Sequence, residues 1–129
     1  MSGATKGDLS LLILATLAEQ PGHGYEVARR IERRSSKALQ AREGALYPAL
    51  RLLEADGLIT GTWEIQPSGP ARRIYTVTPA GRTALAARVQ AWQAYVRAVQ
   101  AILGGQPEAQ NAASSVNAIR GGRSDVEDA

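Results

Sequence analysis

The hydrophobic period of the chain changes in one internal stretch, and that change restricts the fold more than any other feature. Residues 59–65 and 73–77 alternate between apolar and polar side chains, as two β-strands do. Between them, residues 66–71 are rich in Pro, Gly and Ser, which favour turns. The residues before this stretch and those from 79 to 103 follow a helical period instead. The pattern predicts a mainly α chain with one small β-hairpin.

Three helices are predicted ahead of the hairpin. The first covers residues 8–20, with Asp8 as its N-cap and Pro21 just beyond its end. The second and third cover residues 24–36 and 43–56. About six residues join these two helices, so we expect them to lie close together.

The first helix has almost no polar face. A helix that is apolar all round must be covered on several sides. Two arrangements are consistent with this pattern: a central core helix within one chain, or a helix that places one side against another subunit. The large apolar residues are Leu9, Leu11, Leu12, Ile13, Leu14 and Leu17.

A long helix is predicted after the hairpin, from Thr78 as N-cap and Pro79 as first residue to Gly104. At ~1.5 Å per residue it is too long for the preceding residues to cover. Its large apolar residues recur at alternating steps of four and three. We call them the seam and predict that they form a dimer interface with Leu9 and Leu12; the alternative is packing on the first helix alone. The seam consists of Leu85, Val89, Trp92, Val96, Val99 and Leu103.

Together these elements predict a winged helix-turn-helix with a C-terminal dimerisation helix. In that architecture the third helix enters the DNA major groove and the hairpin flanks it as a wing. We assign residues 1–78 to the DNA-binding domain and residues 79–104 to the dimerisation helix. Residues 105–129 are polar and small, which predicts a disordered tail, although residues 109–119 could form a weak helix.

Composition supports a regulator rather than an enzyme. Residues 1–103 carry 13 Lys and Arg against 8 Asp and Glu, so the predicted domain is basic, as polyanion-binding domains are. The chain has one His and no Cys, which gives no metal site and no identifiable catalytic triad. No cofactor is expected. No apolar run reaches the ~20 residues of a membrane span, so we expect a soluble, cytoplasmic protein.

Six short stretches resemble the PadR family of transcriptional regulators in their order and spacing. The resemblance covers roughly residues 7–99 and implies a homodimeric, ligand-responsive transcriptional repressor. The single C-terminal helix is similar to the family's short subgroup, some members of which bind drug-like aromatic compounds at the dimer centre. The stretches are Leu12-Ile13-Leu14, Pro21-Gly22-His23-Gly24-Tyr25-Glu26, Gly44-Ala45-Leu46-Tyr47-Pro48-Ala49-Leu50, Leu53-Glu54-Ala55-Asp56-Gly57-Leu58-Ile59, Gly69-Pro70-Ala71-Arg72-Arg73-Ile74-Tyr75 and Thr78-Pro79-Ala80-Gly81.

The third helix supplies the first candidates for DNA contact. Tyr47 lies opposite the stripe of Leu46, Leu50 and Leu53, where its phenol could donate a hydrogen bond to a phosphate. The alternative is a tyrosine packed under the second helix. Arg51, one turn on, could reach a phosphate or a guanine edge, or could instead pair with Glu54.

The other DNA candidates are basic residues outside that helix. Lys37 and Arg42 flank the connection to the third helix and are expected to touch phosphates. Arg72 and Arg73 begin the return strand on opposite faces, so we expect one of them to reach the minor groove; the alternative is a solvated hairpin end. A second reading of the whole chain is a winged-helix protein-interaction module without specific DNA binding.

Trp92 is the candidate for binding an effector. In a symmetric dimer, two copies of it could flank an aromatic molecule near the two-fold axis. Spacing alone favours plain coiled-coil core instead, and the resemblance to the drug-binding subgroup makes the two alternatives equal. The predicted walls are Val89, Val96 and Val99, with Leu12 and Ile13 from the first helix.

Four further residues have expected positions. We expect His23 to cap or pack at the turn into the second helix, Tyr25 to lie in the core, and Trp63 to pack between the wing and the body. Pro48 either begins the third helix or bends it.

Overall fold

A computed structural model describes residues 6–104, with side chains from Leu9 onward. Every helix and strand lies within two residues of its predicted bounds, and the fold is mainly α with one hairpin, as predicted. The predicted tail, residues 105–129, lies outside the described residues. The elements are α1 (Lys6–Glu19), α2 (Gly24–Arg34), α3 (Glu43–Ala55), β1 (Ile59–Glu64), β2 (Arg72–Val77) and α4 (Pro79–Leu103).

The described residues form two compact units, one up to Val89 and one from Gln90. The first unit holds all elements up to and including the first part of α4, and its core is built around α1, which contacts α2, α3 and β2. Because α1 begins at Lys6, Asp8 lies inside this helix and not at its N-cap, contrary to the prediction. The core side chains are Leu9, Ile13, Leu14, Leu17, Val27, Ile31, Leu46, Ala49, Leu50, Leu53, Ile59, Tyr75 and Val77.

The hairpin is an antiparallel pair that runs in register from Ile59 opposite Val77 to Glu64 opposite Arg72. The connection between α1 and α2 extends its root, because Gly22 and Tyr75 exchange two backbone hydrogen bonds of 3.2 and 2.9 Å. The return strand of the wing is therefore hydrogen-bonded to the segment that leads into α2.

α4 begins as predicted. Thr78 Oγ1 accepts the backbone N–H of Gly81 at 3.0 Å and donates to the carbonyl of Gly57 at 2.7 Å. A Cβ on Gly81 would overlap the carbonyl oxygen of Leu58, so the helix can start this close to the hairpin only with glycine there.

Pro48 lies inside α3 and does not begin it. Arg42 is the N-cap, and the first helical hydrogen bond runs from Leu46 to its carbonyl at 2.7 Å. Pro48 has no N–H to donate to the carbonyl of Gly44, and Gly44 is exposed. The helix nevertheless continues through the proline to Ala55.

Candidate nucleic-acid interface

α3 has one buried and one open face. Leu46, Leu50 and Leu53 are at most 2% exposed and hold the helix on the core. Tyr47 is 36% exposed, and a Cβ built on Gly24 would lie 2.8 Å from its Cε1 atom. The ring therefore packs across the start of α2, while part of the residue stays accessible. No described residue hydrogen-bonds to its hydroxyl. The packing at α2 agrees with the alternative given for this tyrosine, and the DNA contact of Tyr47 stays a prediction.

Arg51 is exposed on the open face of α3. Within the described part of the chain it has no acidic partner. Glu54, the partner that the sequence suggested, is half-buried and binds the wing instead: it pairs with Arg73 and accepts the N–H of Gly61 at 3.2 Å. The guanidinium of Arg51 is left available to an external anion.

Lys37 and Arg42 are exposed in the connection between α2 and α3. Lys37 adopts a left-handed conformation with φ of 68°, next to Ser36 with φ of 53°. Ser35 stabilises the turn, since its hydroxyl accepts the N–H of Leu39 at 3.0 Å. Neither basic residue has an acidic partner in residues 9–104.

The two arginines of the wing have different surroundings. Arg72 lies on the outer strand face and donates to Glu64 Oε1 at 2.9 Å, with 46% of its side chain exposed. Arg73 lies on the other face, pairs with Glu54 of α3, and has 27% of its side chain exposed. The alternation predicted this separation, and Arg72 is the arginine of the pair with more exposed side-chain surface.

A histidine joins the wing to the start of α2. The N–H of His23 donates to Glu26 Oε1 at 2.9 Å, as in a capping box, and its Nε2 lies 3.0 Å from Glu64 Oε1. The backbone bond from His23 holds the pKa of Glu26 below its ordinary value. The imidazole of His23, followed by Arg72, lowers the pKa of Glu64. The expectation that His23 packs at this turn is confirmed.

Two aromatic residues lie elsewhere than expected. Tyr25 is 63% exposed, and its hydroxyl accepts a hydrogen bond from Arg29 at 3.0 Å, so it is not a core residue. Trp63 is 65% exposed and does not fill the space between wing and body. Arg73 occupies that position, with its guanidinium carbon 5.3 Å from the centre of the Trp63 ring.

Exposed basic residues lie along one side of α2 and just beyond its end. Arg29 and Arg33 are exposed one turn apart, and with Lys37 and Glu32 they line an open groove of about 440 Å³. The hydrogen bond that Arg29 donates to the hydroxyl of Tyr25 raises the pKa of Arg29. In the sequence, Glu26 and Glu32 lie among these basic residues, and i,i+4 pairing predicts a solvated face for them.

The residues of the seam differ in exposure. Leu85 packs on the core of the first unit, whereas Val89 is only half-buried. In the second unit, Trp92 is 44% and Leu103 is 77% exposed. Val96 and Val99 are half-buried. Tyr95, which the prediction left out, has its ring 6.0 Å from that of Trp92 and is itself exposed.

Two residues of the predicted effector and dimer sets belong to the core. Leu9 and Ile13 are 2% and 0% exposed, because the other helices of the first unit cover these positions of α1. They have almost no surface to offer a ligand or a second copy, which corrects their assignment. Leu12, in contrast, is half-buried and keeps part of its surface.

The described residues contain no cluster of His, Cys, Asp or Glu side chains that could hold a metal ion. Among them there is also no helix with the length and apolar character that crossing a membrane requires. The geometry is that of a winged helix-turn-helix, with an open face on α3 beside a basic wing.

Comparisons with known proteins agree with that class. Residues 13–87 match the transcriptional regulator PadR-like family. The chain is 38% identical over 96 residues to the transcriptional regulator Rv3488 of Mycobacterium tuberculosis (strain ATCC 25618 / H37Rv), covering 74% of this chain and 83% of that protein. This chain belongs to the PadR-like family, whose members are transcriptional regulators that bind DNA, and not enzymes.

Solved structures show the same fold. A PadR family transcription regulator from Clostridium difficile R20291 is 30% identical, with a TM-score of 0.62 over 75% of this chain and 98% of that one. A PadR family regulator from Eggerthella lenta DSM 2243 is 28% identical, with a TM-score of 0.68 over 76% and 83% of the two chains.

Proposed function

We propose that this protein is a homodimeric transcriptional repressor that inserts α3 into the DNA major groove and is released by a small aromatic effector. The observation that carries the proposal is the two-sided environment of α3. Leu46, Leu50 and Leu53 are buried. Tyr47 and Arg51 stand on the opposite side with no polar partner among the described residues. A side chain that bears an unused donor or charge on such a helix is suited to phosphates and base edges.

The flanking basic residues extend this surface on both sides. Lys37 and Arg42 precede α3, and Arg72 lies at the start of the return strand of the wing. In a winged helix-turn-helix the helix reads the major groove and flanking positions bind the backbone. Phosphate contacts of this kind fix orientation and carry little sequence information. Base readout is therefore expected from α3, with Arg51 as its candidate.

Dimerisation is proposed through α4. Trp92, Tyr95, Ile102 and Leu103 are all exposed large apolar or aromatic residues on this helix. Such a concentration of apolar surface on a regular helix marks an interaction site. A second copy of the seam is the simplest partner, since a two-fold axis pairs the same surface with itself. Such a dimer would present two α3 helices to a palindromic site about one DNA turn apart, ~34 Å.

The effector site is proposed around Trp92 and its counterpart in the second copy, with Val96 and Val99 beside it. Two indole rings that face each other could flank a planar aromatic molecule. An effector that changes the arrangement of the two α4 helices would change the separation of the α3 helices. It can release DNA only to the extent that it binds the released arrangement more tightly.

DNA binding is tested by titrating the full chain with duplex DNA from upstream of its own coding sequence, and with random duplex, over a series of salt concentrations. We expect tighter binding to the upstream DNA and a negative slope of log K against log salt. Arg51→Ala should weaken this binding, whereas Arg82→Ala, which removes an exposed charge from α4, is the control. Equal affinity for both duplexes, or a slope near zero, would contradict the proposal.

Effector binding is tested separately by fluorescence. A screen of planar aromatic compounds against the full chain should quench or shift the emission of Trp92, and Trp92→Phe should abolish that response. A compound that changes the emission should also release the upstream DNA. A compound that releases DNA equally well from the Trp92→Phe variant would place the effector site elsewhere.

A further inference from the structure

We infer that Arg73 positions the wing against α3 and does not itself contact DNA; this inference rests on the proposed function. Arg73 is one of two adjacent arginines at the place where a wing approaches DNA, so its charge alone suggests a phosphate or minor-groove contact. The surroundings of its side chain indicate a positioning role instead. The guanidinium is paired with Glu54, a residue of the helix that the wing flanks.

The guanidinium of Arg73 lies over a surface of the hairpin that is formed by two aromatic rings and a glycine. Its carbon is 5.3 Å from the ring centre of Trp63 and 5.8 Å from that of Tyr75, within the range of cation–π attraction. A Cβ on Gly61 would lie 2.7 Å from its Nε atom, so the absence of a side chain there is what provides the room. Four contacts from three elements thus fix one side chain.

Glu54 completes the connection by binding both strands. Its Oε2 atom pairs with Arg73 of β2 and also accepts the N–H of Gly61 in β1 at 3.2 Å. The carboxylate is therefore a direct link from α3 to each strand of the wing. The distance and angle between α3 and the wing depend on this link, and both must match the spacing between the major groove and the flanking groove or backbone.

Arg72 provides the comparison within the same strand. It has 46% of its side chain exposed against 27% for Arg73, and its partner Glu64 is shared with His23. A phosphate could replace Glu64 as the partner of Arg72 while His23 retains that carboxylate. A phosphate that displaced Glu54 from Arg73 would instead break the link between α3 and the wing. The two arginines therefore have separate roles.

One substitution is expected to change the DNA affinity in opposite directions under the two possible roles of Arg73. If Arg73 contacted DNA, Glu54 would compete with the phosphate, and Glu54→Gln would strengthen binding. If Arg73 positions the wing, Glu54→Gln should weaken binding to the upstream DNA by about fivefold to tenfold, as expected for a pair of coupled residues. Tighter or unchanged binding by Glu54→Gln would overturn the inference.

Arg73→Gln and Arg73→Lys give a second test by the salt dependence. Both should weaken binding while leaving the slope of log K against log salt at the wild-type value, and the double variant with Glu54→Gln should be no weaker than either single one. Lysine keeps the charge but neither the planar fork nor the stacking. Arg72→Gln should reduce the slope by about 0.9, the value for one phosphate. A similar reduction in Arg73→Gln, or near-normal binding by Arg73→Lys, would overturn the inference.

A measurement without DNA tests the inference independently of the proposed function. Hydrogen exchange of the Gly61 amide reports directly on its bond to Glu54, and it should become faster in both Glu54→Gln and Arg73→Gln. Unchanged exchange in Arg73→Gln would mean that the arginine does not hold the link and would overturn the inference. If wild-type protein shows no preference for the upstream DNA, the proposed function fails, and the exchange result alone then decides whether Arg73 fixes the wing.

Discussion

Gly24, the first residue of α2, makes room for the ring of Tyr47 on α3. A Cβ at Gly24 would lie 2.8 Å from Cε1 of the tyrosine and 3.2 Å from its hydroxyl oxygen. The ring therefore uses the start of α2 as its support. Because the same tyrosine stands on the open face of α3, the position of a proposed DNA contact depends on a glycine in another helix.

Replacing that glycine should displace the ring of Tyr47 while reducing the stability of the fold only slightly. In Gly24→Ala the new methyl group overlaps an aromatic ring that can turn outward, so we expect a loss of about 1 kcal/mol in unfolding free energy. Binding to the upstream DNA should fall about tenfold. Urea unfolding and DNA titration measure the two effects. Gly44→Ala is the control for stability, since a Cβ there meets nothing within 4 Å. Unchanged DNA binding in Gly24→Ala would show that the support is dispensable.

The hydroxyl of Tyr47 should matter for DNA and not for stability. Tyr47→Phe keeps the ring against Gly24 and removes a hydroxyl that no described residue uses. We expect unfolding free energy within about 0.5 kcal/mol of wild type. The loss of a hydrogen bond to a charged phosphate should cost about 1.5 kcal/mol or more in binding. A variant that binds like wild type would remove Tyr47 from the interface.

Two leucines of α3 give a matched test of which face is buried. Leu50 is 0% exposed, and Leu50→Ala should lower the unfolding free energy by about 2–5 kcal/mol through the cavity that it leaves. Leu52 is 46% exposed, and Leu52→Ala should cost less than about 1 kcal/mol. Urea unfolding of both variants is the measurement. Similar losses for the two leucines would contradict the orientation of the helix.

Acid should weaken the start of α2. The N–H of His23 lowers the pKa of Glu26, with smaller contributions from the charges of His23 and Arg30. A carboxylate whose native pKa is depressed stabilises the fold above its unfolded value near 4.5, and this contribution is lost as the pH falls through the lowered native pKa. Glu26 is close to half exposed, so we expect less than about 1 kcal/mol from it.

The measurement for Glu26 is unfolding free energy as a function of pH in wild type and Glu26→Gln. The variant should be less stable at neutral pH, and the difference should shrink in acid below about 4.5. Glu32→Gln on the same helix is the control. A difference that stays constant from neutral pH to pH 3 would show that the link between His23 and Glu26 contributes no acid sensitivity.

Dimerisation should depend on the seam and not on the opposite side of α4. Val96→Asp places a charge in the seam and should raise the dissociation constant of the dimer at least about tenfold, since an uncompensated buried charge costs several kcal/mol. Ala94→Asp lies about half a turn away on the same helix and should leave the dimer intact. Analytical ultracentrifugation measures both. Equal effects, or a monomeric wild-type protein, would contradict a dimer through the seam.

Features that depend on neighbouring residues in the sequence could be predicted. Alternation identified the strands, and the leucine spacing of α3 identified its buried face, because both follow from the backbone period. Thr78 followed by Pro79 identified the start of α4 for a similar reason. These signals are local, and they fixed the fold class and the bounds of the elements.

The partners of individual side chains could not be predicted in the same way. Arg73 and Glu54 are 19 positions apart, and their pairing depends on how the wing packs on α3. Once Arg73 takes the space between wing and body, Trp63 is left exposed. Tyr25 is turned outward at the start of α2 beside Arg29, where the sequence favoured the core. Each error concerns a contact between side chains whose geometry the sequence period does not specify.

The most direct test of the account is hydroxyl-radical footprinting of the full chain on its own upstream DNA. A homodimer that presents two α3 helices should protect two half-sites related by a two-fold axis, with centres about one helical turn apart, ~10 base pairs. Tyr47→Phe should weaken protection of both half-sites equally. A single protected site without two-fold symmetry, or no protection beyond that of random DNA, would contradict the account.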